Sequence, residues 1–366
     1  MNEDRRALIK AGVLGGAAAA FGAPTVSLGS EQRDTLDLVI LGGTGFIGPH
    51  MVREALRRGH NVTLFNRGRT NSTLFPDLET IKGDRASDLE GLKGRRWDAV
   101  VDNSGYMPQH VRRSAQLLVD NVGHYLFISS ISAYDSFALP NDESSRLAHV
   151  DPLPEDFSWD NYGALKAIAE KWVAEEFGDD RTTVLRPTYI CGPGDHTDRF
   201  TYWPVRVKNG GEMLWPGSPS HPLQIIDVRD LANFVVDSVE QRIHGTYNTV
   251  TPVGSYTLGN LLEDSQAITA TTVEPIWVDD KFVMANELGG ALPIYHPITG
   301  PYRNASSVSG ERARAAGLHN RPVKETVRDL MSWWGTLDDE RVANARFQMT
   351  PEREAGLIAA WKAKNA

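Results

Sequence analysis

Cysteine is nearly absent from this chain: 366 residues contain one, Cys191. A lone cysteine forms no intrachain disulfide, and no Cys/His group has metal-ligand spacing, so no metal site is expected. Cys191 follows an apolar run and reads as a small packed hydrophobe. Basic charge is also in deficit. Lys and Arg number 38 against 47 Asp and Glu, a formal net charge of −9. Nucleic-acid binding needs a surplus of Lys and Arg on phosphates, so this balance argues against such a partner. Long apolar runs are missing as well. The stretch from Lys10 to Ala23 is short and rich in alanine and glycine, which argues against stable membrane insertion. There is no internal repeat.

What remains is ordinary for a soluble enzyme: 41% hydrophobic and 23% charged residues, in a chain long enough for one large core or two medium domains. At the N-terminus, Arg5-Arg6 precede Leu8, Ile9 and the alanine-rich stretch. This pattern predicts a twin-arginine export signal over residues 1–30 and an exported protein, with a cytoplasmic location as the alternative. That route carries folded proteins, which suits a cofactor enzyme without disulfides.

From Leu36 the chain alternates short apolar runs with helical spacing. Strands are predicted at Asp37–Leu41, Asn61–Phe65, Glu79–Lys82, Ala99–Asp102, Tyr125–Ser129 and Thr182–Leu185, and a helix at Phe46–Arg58. Strand–helix alternation with short links predicts a Rossmann-type doubly wound parallel sheet, an α/β fold with a smaller C-terminal substrate domain. The expected boundaries are 35–190 plus 223–250 for the dinucleotide domain and 191–222 plus 251–340 for the substrate domain. Gln224–Val228 and Arg229–Val239 read as a return to the sheet pattern. Residues 341–366 are expected to carry a last surface helix from Pro351 to Lys364. The long polar connection from Asp135 to Asn161 is placed as a lid over the substrate.

The first chemical signal is Gly42-Gly43-Thr44-Gly45-Phe46-Ile47-Gly48, directly after a strand and opening a helix. Gly42 permits a tight turn, Gly45 lets backbone approach a pyrophosphate, and Gly48 lets helix and strand pack closely. The free N–H groups of the helix start then face the phosphates. An NAD enzyme usually carries an acid at the end of the second strand. Here Asn66-Arg67-Gly68-Arg69 stands instead. Two arginines suit a ribose 2′-phosphate, so NADP is favoured over NAD.

The second signal is Tyr162-x-x-x-Lys166. Residues four apart share a helix face, so the Lys166 ammonium is expected beside the Tyr162 phenol. Together with an oxidised nicotinamide, that charge would lower the phenol pKa and make Tyr162 a general acid/base. Ser130, at the end of the fifth strand, lies where ligands bind in such sheets and can orient the reacting oxygen.

With these motifs in hand, the chain resembles an extended short-chain dehydrogenase/reductase of the NAD-dependent epimerase/dehydratase type over roughly Leu36–Trp334. Gly83-Asp84, Leu185-Arg186-Pro187, Gly192-Pro193-Gly194-Asp195 and Ile226-Asp227-Val228-Arg229-Asp230 complete the likeness. The resemblance implies that Ser130, Tyr162 and Lys166 are catalytic and that Lys166 also holds the nicotinamide ribose. It implies that Asp84 meets the adenine, that Asn103, Ser104 and Gly105 line the cofactor, and that Pro187 and Tyr189 lie near the nicotinamide. The implied function is an NAD(P)-dependent oxidoreductase or epimerase acting on a hydroxyl or keto group of a sugar-like small molecule, with homo-oligomers in scope. A non-catalytic NAD(P) sensor or an RNA-binding relative of the same fold is the alternative. Ile131-Ser132 replaces the Asp-Glu pair of sugar-nucleotide 4,6-dehydratases, which weakens a dehydratase. His196 is read first as a surface residue. Arg199, Arg206 and Arg229 are candidates for an anionic substrate group. Tyr202, Trp203 and Trp215 are read as packing residues ahead of ring-stacking ones.

Overall fold

The computed structural model describes residues 34–365. The expected export signal lies outside the described residues. From Thr35 onward the chain forms one compact unit.

Seven strands build the central sheet: β1 (Asp37–Leu41), β2 (Asn61–Asn66), β3 (Thr80–Lys82), β4 (Trp97–Asp102), β5 (Val122–Ile128), β6 (Thr182–Pro187) and, late in the chain, Gly245–Thr249. Their spatial order, from the Gly245–Thr249 edge, is that strand, then β6, β5, β4, β1, β2 and β3, and every pairing is parallel. The first four helices that matter here are α1 (Gly48–Arg57), α2 (Pro108–Leu118), α3 (Tyr162–Phe177) and α4 (Tyr202–Lys208). A second parallel pair joins β7 (Tyr189–Cys191) to β9 (Ile225–Asp227), and a third joins β8 (Gly211–Pro216) to Val273–Val278. The helix α5 (Val228–Glu240) follows β9 and leads into β10, the edge strand Gly245–Thr249.

Alternate residues of the buried strands feed two different cores, as a pleat of period two requires. Leu38, Ile40, Leu64, Val101 and Leu126 meet Met51 and Val52 of α1 and Leu231 and Val235 of α5. On the opposite face, Val39, Leu41, Phe65, Val100 and Phe127 meet Val111 and Ala115 of α2 and Ala169 and Val173 of α3. Each such fully buried aliphatic side chain contributes about 1.5–3 kcal/mol. A separate core gathers Trp203, Trp215, Leu261, Leu292 and Leu330 from the C-terminal half together with the segment after Cys191.

The structure corrects several boundaries. The first helix begins at Gly48 rather than Phe46, because Pro49 suits a first helical turn and Gly42–Ile47 is spent on the loop. The fifth strand begins at Val122, since β4 pairs with it from Val122 onward whatever the polarity of His124, while β6 joins on the other side from Tyr125. The Gln224–Val228 strand is present as β9, but it pairs with β7 outside the central sheet. The strand that extends the sheet beyond β6 is β10. The last helix runs from Pro351 to Asn365 and buries Ile358 and Glu354. The Glu354 carboxylate accepts from Leu214 N at 3.0 Å and Arg206 Nε at 2.6 Å, which ties this helix to β8. Among the described residues, no helix is long and apolar enough to cross a membrane.

Candidate active site

The glycine loop connects β1 to α1 at the C-terminal edge of the sheet, where the strand ends leave a crevice. Gly42 has φ +93, and a Cβ there would stand 2.7 Å from Ser104 Cβ and 2.8 Å from Asn103 Oδ1. Gly48 is closed in from the other side: its Cβ would stand 2.5 Å from the Gly42 carbonyl oxygen. A Cβ on Gly45 meets nothing within 4 Å. The loop thus packs hard against its own protein at both ends and is open in the middle, the shape a bound pyrophosphate requires. Thr44 is buried, and its carbonyl accepts from Asn71 Nδ2 at 3.0 Å. Phe46 lies edge-on to His50 and to His196. His50 Nε2 is 2.9 Å from the Pro193 carbonyl oxygen, so the loop after β7 is held against the glycine loop. Ile47 caps α1.

The other sequence-predicted cofactor residues fall into four groups, after β4, β2, β3 and β6. Asn103 and Ser104 lie directly under Gly42, and Ser104 Oγ donates to the Leu41 carbonyl at 3.2 Å. Asn66 closes a local turn by accepting from Gly68 N at 2.8 Å. Arg67 and Arg69 are exposed, and among the described residues neither makes a hydrogen bond or ion pair. Asp84 is half-buried and accepts from Ala86 N at 3.0 Å. Pro187 ends β6 in a buried position, and Tyr189 is the half-buried first residue of β7.

The catalytic candidates meet where β5 ends and α3 begins. Ser130 follows β5 and accepts from Ser132 N at 3.1 Å, which fixes its hydroxyl. Tyr162 is the first residue of α3. Burial pushes its phenol up to about 12, while the neighbouring Ser130 hydroxyl and the charge of Arg199 pull it back. Tyr106, Phe157 and Trp159 surround the phenol ring, with centroids 5.4–6.3 Å from it. Phe157 and Trp159 end the long connection expected as a lid, and Trp159 is 73% exposed above Tyr162.

Lys166 departs from expectation. Its ammonium is buried and donates to the carbonyls of Gly105 at 2.9 Å and Ile128 at 2.6 Å, above the Phe127 ring at 4.3 Å. The carbonyls at a strand end need donors, and a long side chain one turn into α3 reaches them. Burial lowers this ammonium to about 8, against the pull of Asp102 and Glu170. The protein's own groups therefore leave the phenol above its ordinary pKa rather than below it.

Several supporting residues carried no signal in the sequence reading. Gly163 is one. A Cβ there would stand 2.0 Å from the Ser132 carbonyl oxygen, so only glycine lets α3 dock on the turn that carries Ser130. Gly163→Ala is expected to separate Tyr162 from Ser130 and cut activity at least tenfold, with thermal melting and turnover as the readouts. Behind the site, Arg85 grips Asp102 with two bonds of 2.6 Å, and Tyr125 donates to the same carboxylate at 2.7 Å. Burial works to raise the Asp102 pKa, but the Arg85 charge carries it below the ordinary carboxylate value. Beside it, Arg186 pairs with Glu170 at 2.6 Å, Ser129 donates to that Glu170, and Arg186 reaches Tyr134 at 3.1 Å. The Leu185-Arg186-Pro187 motif pointed to Arg186 without stating this role.

An aromatic stack stands at the start of β7. Tyr189 Oη lies 2.7 Å from His296 Nε2, and Tyr189, His296 and Tyr302 stack in series at 5.8 and 5.6 Å. Tyr202, Trp203 and Trp215 are fully packed in the C-terminal core instead, with Trp203 and Trp215 centroids 4.7 Å apart.

A doubly wound sheet with a glycine loop, a strand-end serine and a Tyr-x-x-x-Lys helix defines a nucleotide-binding class, and the comparisons agree. The model of the NAD dependent epimerase/dehydratase family matches residues 38–249, and the chain belongs to that family. The chloroplast stem-loop binding protein of 41 kDa b from Arabidopsis thaliana is 29% identical over 230 residues, covering 58% of this chain and 56% of that protein. A 3 beta-hydroxysteroid dehydrogenase/Delta 5-->4-isomerase from Mycobacterium tuberculosis is 26% identical over 180 residues, covering 44% and 48%. The chain thus spans about half the length of these curated relatives. The structure of the Bordetella bronchiseptica enzyme WbmG in complex with NAD and UDP shares the fold, with a TM-score of 0.60 and 16% identity over 84% of this chain and 96% of that one.

Proposed function

We propose that this chain is an NADP(H)-dependent oxidoreductase or epimerase that works at a hydroxyl or keto carbon of a sugar-like small molecule. The observation that carries this reading is the docking of the start of α3, where Tyr162 stands, on the turn that carries Ser130: a Cβ on Gly163 would stand 2.0 Å from the Ser132 carbonyl oxygen, at the C-terminal edge of the sheet that also holds the glycine loop. Ser130 holds the reacting oxygen, and Tyr162 gives it or takes from it a proton. Lys166 braces the strand end through Gly105 and Ile128, which keeps the floor of the crevice rigid. The dinucleotide, when bound, supplies or accepts the hydride. Gly42, Thr44, Gly45, Phe46, Ile47 and Gly48 would hold its pyrophosphate, and the open face of Gly45 fits that group. The Mycobacterium relative's name carries a hydroxysteroid, which supports a ring carbinol as the reacting unit.

The reading is tested by offering NADP⁺ and a panel of cyclic alcohols to the protein. Turnover by the wild type, and its loss in Tyr162→Phe, are expected; a variant as active as the wild type overturns it. The cofactor preference is tested separately. Arg67 and Arg69 are exposed and unengaged at the end of β2, ready for a 2′-phosphate. Replacing both by alanine is expected to weaken NADP⁺ binding about 10- to 100-fold and to leave NAD⁺ binding nearly unchanged. Equal losses for the two dinucleotides would remove these arginines from the preference.

A further inference from the structure

Three arginines of the C-terminal half were candidates for an anionic substrate group, and the structure separates them. Arg206 pairs with the buried Glu354 at 2.6 Å. Arg229 lies between Asp227, at 2.7 Å, and Asp329. Both are spent on holding helices in place. Arg199 is different: it is exposed and, among the described residues, pairs with no carboxylate.

Arg199 is nevertheless held in place. Its guanidinium carbon lies 5.0 Å from the centroid of the Tyr189 ring, a stacking distance. Its Nε donates to Thr197 Oγ1 at 3.2 Å. Thr197 is fixed in turn, because its hydroxyl and backbone N–H both donate to the buried Asp195 carboxylate, at 2.6 and 2.8 Å. One edge of the guanidinium is thereby used for support. Nη1 and Nη2 keep their N–H donors, the pair that grips a carboxylate or phosphoryl group in bidentate fashion. The charge also bears on the Tyr189 and Tyr162 phenols and, without a direct ion pair, on the Asp195 carboxylate. Holding a long, flexible cation in one place loses side-chain entropy, and these contacts offset that loss in advance of a ligand.

We propose that Arg199 is the anion anchor of the substrate site: it binds a carboxylate or phosphoryl group carried by the substrate near the carbinol that Tyr162 serves. Tyr189 backs the guanidinium on one side, and His296 and Tyr302 stack in turn behind Tyr189, so the anion is met on the exposed side of the fork. The place of the carbinol rests on the redox reading of Tyr162; the anion site does not.

The test uses benzoate, phenyl phosphate and the neutral benzamide as probes, titrated calorimetrically into the full chain saturated with NADP⁺. At least one anion is expected to bind tenfold or more tightly than benzamide. Arg199→Gln is expected to weaken that anion about 10- to 100-fold and to erase the difference. Arg199→Lys is expected to keep part of it, because a point charge replaces a fork. NADP⁺ affinity in both variants serves as the control for folding. Preference for benzoate assigns a carboxylate, and preference for phenyl phosphate a phosphoryl group. Anions that bind no better than benzamide, or a preference that survives Arg199→Gln, overturn the proposal. The benzoate titration is repeated without dinucleotide. Failure of NADP⁺ to bind would therefore count against the redox reading and leave the anion result standing.

Discussion

Tyr162→Phe is expected to reduce turnover about 10²- to 10⁴-fold, the range for loss of one positioned acid/base. Dinucleotide affinity is expected to stay within a few-fold of the wild type, because the glycine loop is held by Ser104, Asn103 and Asn71 rather than by the phenol. The pH dependence follows from the surroundings of Tyr162. Burial holds the phenol up to about 12, so across the neutral range it is protonated. In the direction that reduces a ketone, the protonated phenol is the form that acts, and the rate is expected to be flat with pH in this range. In the direction that oxidises an alcohol, phenolate must accept the proton, and its fraction grows about tenfold per pH unit below the pKa. Rates of alcohol oxidation measured from about pH 7 to 9 are therefore expected to climb steadily. A flat oxidation profile in that range would mean that another base takes the proton.

The largest effect on stability is expected from Arg186→Met. Arg186 and Glu170 are both buried, and the pair is extended by Ser129 and Tyr134. Removing the cation leaves a buried carboxylate without its hydrogen-bonded counter-charge, with only the more distant Lys166 ammonium acting on it, which costs about 3–5 kcal/mol. A typical domain is stable by only about 5–15 kcal/mol, so the variant is expected to lose a large part of its total. Urea unfolding followed by fluorescence reads this as a lower midpoint. The double substitution Glu170→Leu with Arg186→Met is expected to recover most of the loss, because two apolar groups need no compensation. If the single variant loses under about 1 kcal/mol, Glu170 has found another partner and the network is not the support inferred for Ser129 and its neighbour Ser130.

Much of the N-terminal half is legible in the amino-acid sequence. The strands β1, β2, β4 and β6 announce themselves as short apolar runs, because a parallel strand covered on both faces has no polar side to show. The glycine loop is equally legible, since its backbone conformation admits few other residues: Gly42 at φ +93 and Gly48 against the Gly42 carbonyl are constraints on single positions. Tyr162 and Lys166 share a helix face by spacing alone, and Ser130 stands at a strand end by counting.

Tertiary structure decided what each of these residues touches. Helical spacing placed Lys166 one turn from Tyr162, yet its ammonium goes to the Ile128 carbonyl at the end of β5 and the Gly105 carbonyl in the loop after β4, because a four-carbon stem reaches wherever unpaired acceptors lie. The same freedom explains the three arginines. Nothing local distinguishes Arg199 from Arg206 or Arg229; the difference is that Glu354 comes from 148 residues away to meet Arg206, and Asp329 from 100 residues away to meet Arg229. Strand β9 reads like a member of the central sheet and pairs with β7 instead, since hydrogen-bond partners of a strand are chosen by topology and not by composition. Local backbone constraint and hydrophobic period are written in the chain itself. Long-range pairing of charges and strand edges exists only once the chain has folded.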